Sequence, residues 1–332
     1  MARDPLKHLG PAWFTMVMGL AGLSMAWHAA APLLGDGAGA AGMAIGALAA
    51  AVFGALAAAS LWRLRRHPQA WAEDLRHPVR HAFVAAIPVS LLLLVSAGVA
   101  AGLQGALPEA LWWAGALGQL WATLWLLQRW WRVGSGGGLA WAGLTPALFI
   151  PVVGNLLVPL AGMPLGRPEW AAAQFGVGLL LWPVLLVLLL VRVAQQGLWP
   201  ERLLPGNFIL VAPPAAVGLA ARHVGVAPLV AWALWGMALF CLLWMAPLLR
   251  RIAGQPFGMA HWGMVFPLAA FTTLSLQLAQ AGPLRVPGLA LLALTSLLVT
   301  ALVLATVRGL RDGTLLAPET VPISAAAGKA PA

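Results

Sequence analysis

The residue types that usually carry catalysis or bind metals are sparse in this sequence, and the acidic ones avoid its apolar stretches. All nine Asp and Glu residues fall in polar breaks between apolar runs or near the chain ends. The seven histidines lie in the same breaks or at the ends of the runs, without the pairing that metal or haem ligands need. The sequence also has no acidic cluster that could hold Mg²⁺. We therefore expect no enzyme activity, no metal and no cofactor.

Two further features of the reactive residues narrow the function classes. Proton-coupled carriers and pumps usually keep an ionisable relay residue inside a span, at a cost of about 2.5–3.5 kcal/mol. No acid occupies such a position here, which argues against proton coupling. Cys241 is the only cysteine, so no disulfide can form within the chain. It lies inside an apolar run, where a thiol usually packs as a small hydrophobic side chain.

Prolines lie inside alternate apolar runs, roughly 10–16 Å from one end of each predicted helix. Proline removes a backbone hydrogen bond and kinks a helix, which lipid tolerates only where neighbouring helices or water satisfy the freed backbone groups. The pattern therefore predicts that the odd-numbered helices form an inner ring. The prolines concerned are Pro88, Pro151, Pro213, Pro214 and Pro267.

The same runs carry small, hydroxyl and amide side chains, among them Gly19, Asn155 and Thr272. Hydroxyl and amide groups can hydrate a passing ion without a fixed charge, and glycine makes room for it. Small residues and hydroxyls are also what close contacts between membrane helices use. The residues alone leave pore lining and helix packing as equal alternatives.

The composition identifies the elements that must position these residues. Of 332 residues, 61% are apolar and only 8% charged, with a mean hydropathy of +0.88. So few charges cannot cover a soluble surface. This excludes a soluble domain, a disulfide scaffold and, despite the net charge of +10, a nucleic-acid binder. A span needs about 20 apolar residues, and ten runs of that kind lie at about 10–31, 37–62, 80–104, 108–128, 144–163, 169–191, 203–221, 226–249, 260–281 and 286–307.

The basic residues predict the orientation of these spans. With the N-terminus inside, sixteen of the nineteen Lys and Arg residues lie on the inner side and three on the outer side. We therefore expect a cytoplasmic N-terminus over residues 1–9 and a transmembrane domain over 10–311. A cytoplasmic tail should follow over 312–332, where the absence of helical periodicity indicates disorder.

Five segments in order resemble the TehA/SLAC1 anion-channel family, also called the tellurite-resistance/dicarboxylate transporter family. Each lies in an odd-numbered span or in the loop entering it, and the similarity is collinear over about residues 10–310. The segments are PAWFTMVMGLAGLSMAW (Pro11–Trp27), HPVRHAFVAAIPVS (His77–Ser90), FIPVVGN (Phe149–Asn155), LVAPP (Leu210–Pro214) and HWGMVFP (His261–Pro267).

The resemblance implies an all-α integral membrane protein of ten helices in five helical hairpins, with the odd-numbered helices around a central pore. It also implies a homotrimer in the bacterial cytoplasmic (inner) membrane that conducts small inorganic anions, such as chloride or nitrate, passively. In this family a phenylalanine just before the span-9 proline or glycine closes the pore. That position is Phe266 here, and a lone phenylalanine would otherwise be read as core packing. Candidate pore-lining residues are Phe14, Gly19, Phe149, Asn155, Phe271 and Thr272.

Departures from the family pattern and rival functions stay open. Span 7 has two prolines where one is usual, and Phe271 could add a second constriction beyond Phe266. The basic loops could concentrate anions at the inner mouth or serve topology alone. The wider family suggests a uniporter or efflux carrier for a C4-dicarboxylate, sulfite or a tellurite-related anion. A membrane enzyme acting on tellurite would depend on Cys241.

Overall fold

The structure, a computed structural model, describes residues 5–132, 138–139, 141–280 and 282–317. Within these residues the chain is helical and has no strand. Ten helical segments of at least 17 residues occur in the described chain, one for each predicted apolar run. We number them α1 (Pro11–Leu34), α2 (Asp36–Arg66), α3 (Arg80–Ala100), α4 (Ala106–Trp130), α5 (Pro146–Gly162), α6 (Pro168–Gln196), α7 (Glu201–Ala221), α8 (Pro228–Met245), α9 (Met259–Ala279) and α10 (Arg285–Arg311).

Eight of these segments are long and apolar enough to cross a membrane, whereas α4 and α5 fall outside that set. Tryptophan and polar residues lower the mean hydropathy of α4, which carries five tryptophans together with Glu109 and Arg129. α5 is short and is interrupted by a 3₁₀ stretch at Gly154–Leu157. The expected all-α membrane architecture is confirmed, with eight of its ten expected spans meeting the length and hydropathy requirement.

One predicted boundary is wrong by several residues. The eighth apolar run was expected to continue to about residue 249, but α8 ends at Met245 and a short separate helix follows at Leu248–Ala253. Pro247 lies between the two helices. A proline lacks an N–H donor and disfavours helical geometry in the residue before it, so the chain turns there.

The helices pack as consecutive pairs, each even-numbered helix against the odd-numbered helix before it. Each odd-numbered helix also contacts the next odd-numbered one, and α9 returns to contact α1. In α1, α3, α7 and α9, 56–83% of the apolar stretch is buried, against 11–28% in α2, α6, α8 and α10. The odd-numbered helices therefore form the interior, and the even-numbered ones form the outer surface.

The interior prolines lie at changes of helix type. The odd-numbered helices begin with 3₁₀ turns, and the α-helical part of α3 starts at Ala86, two residues before Pro88. In α9 it starts at Val265, two residues before Pro267. A proline in the first turn of an α-helix costs little, because the N–H at that position has no helical partner. The same junction occurs before Pro151 in α5 and Pro213 in α7.

The two chain ends are described only in part. Residues 1–4 of the predicted N-terminal segment and 318–332 of the predicted tail lie outside the described residues. After the end of α10, the chain turns at Gly313, whose φ of 68° suits glycine. Leu315 then packs against the hydrophobic core. The first described residues of the tail thus fold back onto the helices.

Candidate functional site

A cavity of about 870 Å³ lies among the N-terminal ends of the odd-numbered helices. Every odd-numbered helix contributes to its wall, and the contributing residues recur three apart, so each helix presents one face. Such pairs are Thr15 and Met18 in α1, Arg80 and Phe83 in α3, Ala147 and Ile150 in α5, Gly206 and Ile209 in α7, and Gly263 and Phe266 in α9.

The end of the cavity that lies farthest along the helices is apolar. The lining residues farthest along three of the helices are Met18, Ile150 and Ile209, and in α9 Phe266 is the next to last, before Pro267. The Phe266 side chain is 5% exposed, so most of its ring is in contact with protein. A Cβ atom added at Gly22 would lie 3.3 Å from Cδ2 of Phe266, which places the ring directly against α1. An aromatic ring therefore stands at the apolar end of the cavity.

The opposite end of the cavity is charged. Lys7, Arg63 and Arg80 lie on its wall with Glu73 and Asp74, and Arg202 and His8 complete the titratable set. These residues come from the N-terminal segment, the end of α2, the connection between α2 and α3, and the starts of α3 and α7. The cationic groups outnumber the acidic ones, so this end has a positive balance.

A buried ion pair organises this charged end. Arg63 Nη1 lies 2.7 Å from Asp74 Oδ2, and the two side chains are only 3% and 1% exposed. Arg63 Nε also donates to the Lys7 carbonyl oxygen at 3.0 Å. Arg80 Nη1 lies 3.1 Å from the other Asp74 oxygen, and its side chain is 36% exposed. One buried carboxylate thus holds two guanidinium groups, only one of which reaches the cavity with substantial exposure.

Among the predicted site residues, Phe266 and Pro267 lie on the cavity wall. The other interior prolines do not contribute to it. Pro88 lies beneath Gly118 of α4, where an added Cβ would be 3.2 Å from the Pro88 Cβ. Pro151, Pro213 and Pro214 are buried within α5 and α7.

None of the six candidate pore-lining residues lies on the wall of this cavity. Phe14 packs edge to face on Phe53 of α2, with ring centroids 5.6 Å apart. A Cβ at Gly19 would lie 2.8 Å from Val265 Cγ1, so this glycine permits the close approach of α1 and α9. Phe149 is fully buried among core residues.

The remaining three candidates face outer helices. Phe271 stacks on Trp235 of α8 with ring centroids 5.8 Å apart. The Thr272 hydroxyl shares a 3.0 Å hydrogen bond with Thr295 of α10. Asn155 Nδ2 donates to the Thr123 hydroxyl of α4 at 2.9 Å, and its Oδ1 accepts from Gln174 of α6 at 3.0 Å. These contacts are those of helix packing.

Sequence reasoning missed two polar groups that the structure brings together. One is the Arg63, Asp74 and Arg80 cluster, whose members are separated by up to 17 positions and gave no recognisable spacing. The other joins Gln119 and Gln174 to the interruption in α5. Glutamines within apolar runs were a signal for the second group. No cluster of three or more metal-ligating acids, histidines or cysteines occurs among the described residues.

Comparison with known proteins adds to this geometry. The family model SLAC1, described as voltage-dependent anion channel, matches residues 8–307. The chain is 24% identical over 316 residues to a tellurite resistance protein TehA homolog of Haemophilus influenzae, covering 92% of each chain. It is 26% identical over 302 residues to an uncharacterized transporter of Methanocaldococcus jannaschii, covering 82% of this chain and 84% of that one.

A plant relative matches over a shorter stretch. The S-type anion channel SLAH2 of Arabidopsis thaliana is 26% identical over 211 residues, or 63% of this chain. This chain spans only 40% of the length of that relative. The expected resemblance to the TehA and SLAC1 proteins is confirmed by these matches.

Proposed function

Because the chain belongs to the SLAC1 family of voltage-dependent anion channels, we propose that it conducts small monovalent anions, such as chloride or nitrate, passively across a membrane. It acts by permeation rather than catalysis. The observation that carries the proposal is the cavity that runs from a cationic end to an apolar end at Phe266. Such a cavity would gather anions and then hold them at a dry barrier.

The proposed pore is central to an inner ring of α1, α3, α5, α7 and α9. Three observations support the ring: the closed order of contacts among these helices, their greater burial, and the single face that each presents to the cavity. The proposal counts α4 and α5 as spans as well, which makes ten spans in five hairpins. α5 can be shorter than the others because its 17 residues are enclosed by neighbouring helices rather than by lipid.

Phe266 is the proposed gate. A ring of apolar side chains excludes water, and an ion that cannot keep its hydration shell does not pass such a constriction. Met18, Ile150 and Ile209 supply the apolar surroundings, and Gly22 lets α1 come close to the aromatic ring. Movement of one side chain would then decide between the closed and the open pore.

Selectivity for anions would come from potential rather than from a tight site. Among the described residues, no acidic side chain lines the apolar part of the cavity wall. The cationic end raises the local anion concentration, while the neutral section beyond it binds ions weakly. Weak binding suits conduction, since an ion must also leave.

The proposed setting is the cytoplasmic membrane of a bacterium, with both chain ends and the cavity mouth on the cytoplasmic side. The segregation of basic residues supports this orientation. We also propose a homotrimer in which each chain has its own pore. The resemblance to the family supports the trimer, and the apolar outer faces of the even-numbered helices are suited to contact lipid or another copy.

Substitution of the gate tests the function. We expect Phe266→Ala to raise anion conductance in planar bilayers or oocytes, because it removes the ring from the apolar end of the cavity. Phe271→Leu is the matched control, since Phe271 belongs to the same helix but packs against Trp235. It should leave conductance near that of the original protein. An unchanged current in a well-folded Phe266→Ala protein would remove the gate assignment.

The same recordings separate a channel from a carrier. A channel gives ohmic currents that reverse near the equilibrium potential of the permeant anion. Saturable uptake of malate or sulfite into liposomes, without such currents, would instead favour the C4-dicarboxylate, sulfite or tellurite-related carrier. Recordings in chloride, nitrate, sulfite and malate therefore identify both the transport mode and the preferred anion.

A further inference from the structure

We propose that Arg80 is the residue that receives the permeating anion in the cavity, and that Asp74 is the positioning residue that holds Arg80 there. The inference rests on the proposed function, because it assigns a residue to the anion path. The ligand is a small monovalent anion that exchanges between water and the guanidinium group. Its site lies between the cytoplasmic mouth and the apolar section that ends at Phe266.

The first step of the argument concerns which charge is available. Arg63 is 3% exposed, and its donors go to Asp74 Oδ2, the Lys7 carbonyl and the Ala70 carbonyl. Its charge is therefore matched by the carboxylate, and its hydrogen bonds are used within the protein. Arg80 shares the same carboxylate through Oδ1 but is 36% exposed and lies on the cavity wall. Two guanidinium groups and one carboxylate leave the cluster with one net positive charge, which faces the cavity at Arg80.

The other cationic groups of the wall are less suited to this role. Lys7 belongs to an exposed terminal segment, and the exposed carboxylate of Glu73 lies on the same wall. Arg202 and His8 are each engaged in an interaction of their own. Arg80, in contrast, is paired with a carboxylate that is 1% exposed, and it is the more exposed of the two guanidinium groups on that carboxylate. A cation held by a buried partner loses little side-chain entropy when an anion arrives.

The second step concerns the strength of binding. An arginine stays charged at any physiological pH and is weakly hydrated, so it exchanges water for an anion readily. Asp74, 3.1 Å away, offsets part of its field. The resulting site attracts an anion without trapping it, as conduction requires. Phe83, one helical turn farther along α3, also lines the cavity, so the anion would next meet the apolar section.

The test measures unitary conductance against salt concentration in the Phe266→Ala protein, where the gate is removed. We expect Arg80→Gln in this background to lower the conductance about threefold at low ionic strength. Near 1 M salt, where the screening length falls to about 3 Å, the difference should vanish. Arg80→Lys keeps the charge and should keep most of the conductance. Arg65→Gln is the matched control, because it removes an exposed charge from α2 that lies off the cavity wall.

Each outcome supports or overturns the inference. A salt-dependent loss in Arg80→Gln but not in Arg65→Gln supports it. A loss of equal size at every salt concentration overturns it, because a structural defect is not screened. Equal effects of Arg80→Gln and Arg65→Gln also overturn it, since the charge would then act from anywhere on that surface. If Arg80→Gln does not fold, Arg80→Lys becomes the test. Because it keeps the positive charge, a loss of conductance in Arg80→Lys overturns the inference. If neither the original protein nor Phe266→Ala carries anions, the proposed function itself fails.

Discussion

Arg63 and Asp74 lie buried beside the cavity, although both carry charge. Their side chains are 3% and 1% exposed and are 2.7 Å apart. A buried ion is tolerated only when its partner and its hydrogen bonds replace the water it has lost. The Arg63 donors meet this condition through the carbonyl groups of Lys7 and Ala70. The pair thus joins the N-terminal segment and the helix at Pro68–Arg76 to the end of α2.

Removal of one partner should show what burial contributes. We expect Arg63→Met to lower the free energy of unfolding by about 3 kcal/mol, since it removes the nearer of the two guanidinium groups that pair with the buried Asp74 carboxylate. Arg167→Gln, which breaks the exposed pair with Glu109, should cost less than about 1 kcal/mol because water screens that pair. Thermal melting of the detergent-solubilised proteins, followed by gel filtration, measures both changes. Melting shifts of equal size would contradict the difference.

At the scale of elements, α5 shows how a broken helix is satisfied within a membrane fold. The 3₁₀ stretch at Gly154–Leu157 disturbs the regular backbone hydrogen bonds. Gln119 of α4 donates to the Pro151 carbonyl at 2.7 Å and to the Ile150 carbonyl at 3.3 Å. A Cβ at Gly154 would overlap the Gln119 amide nitrogen, so only glycine leaves room for this side chain. Neighbouring helices thus replace the missing backbone partners.

Asn155 belongs to this arrangement, and its substitution separates packing from pore lining. We expect Asn155→Leu to lower the free energy of unfolding by about 1–3 kcal/mol, because Gln174 loses an acceptor and the Pro151 carbonyl loses a donor. Unitary conductance should not change. Gln104→Leu, at an exposed position between α3 and α4, is the control for the loss of an amide. A changed anion preference without loss of stability would instead indicate that Asn155 lines the pore.

At the scale of the whole molecule, burial separates two classes of helix. The apolar stretches of α7 and α9 are 83% buried, whereas that of α2 is 11% buried. The outer helices present large apolar side chains such as Leu180 of α6 and Leu229 of α8, as a surface in contact with lipid requires. The inner helices carry the 3₁₀ turns and surround the cavity. Irregular backbone of this kind is tolerated at membrane depth only where protein or a cavity, rather than lipid, surrounds it.

Cysteine labelling tests the proposed orientation of this assembly. In a Cys241→Ser background, an impermeant maleimide applied to whole cells should label Gln104→Cys, which lies between α3 and α4 on the proposed outer side. It should label Arg65→Cys, in the last turn of α2 on the proposed cytoplasmic side, only after the membrane is permeabilised. The reverse pattern would overturn the orientation.

Native mass spectrometry of the same protein should give the mass of three chains, and a monomer mass would contradict the proposed trimer.

The sequence by itself determined the architecture. Each of the ten apolar runs corresponds to a helical segment, and eight of these segments are long and apolar enough to cross a membrane, because a helix in lipid must be apolar along its length. The interior prolines marked the changes of helix type near Ala86 and Val265. The family motif HWGMVFP singled out Phe266, and the structure places that residue on the cavity wall. These signals are local, and a single sequence displays them directly.

Only the tertiary structure decided which face of each helix meets the cavity. Thr15, Met18, Ile150 and Ile209 line it, whereas Asn155 and Thr272 turn toward outer helices. In a soluble protein, amphipathic periodicity would indicate the inward face. A helix in a membrane is apolar on every side, so that signal is missing, and the same small and hydroxyl residues suit pore and packing alike. The faces are set by contacts between distant segments, such as Gly22 with Phe266 and Lys7 with Arg63.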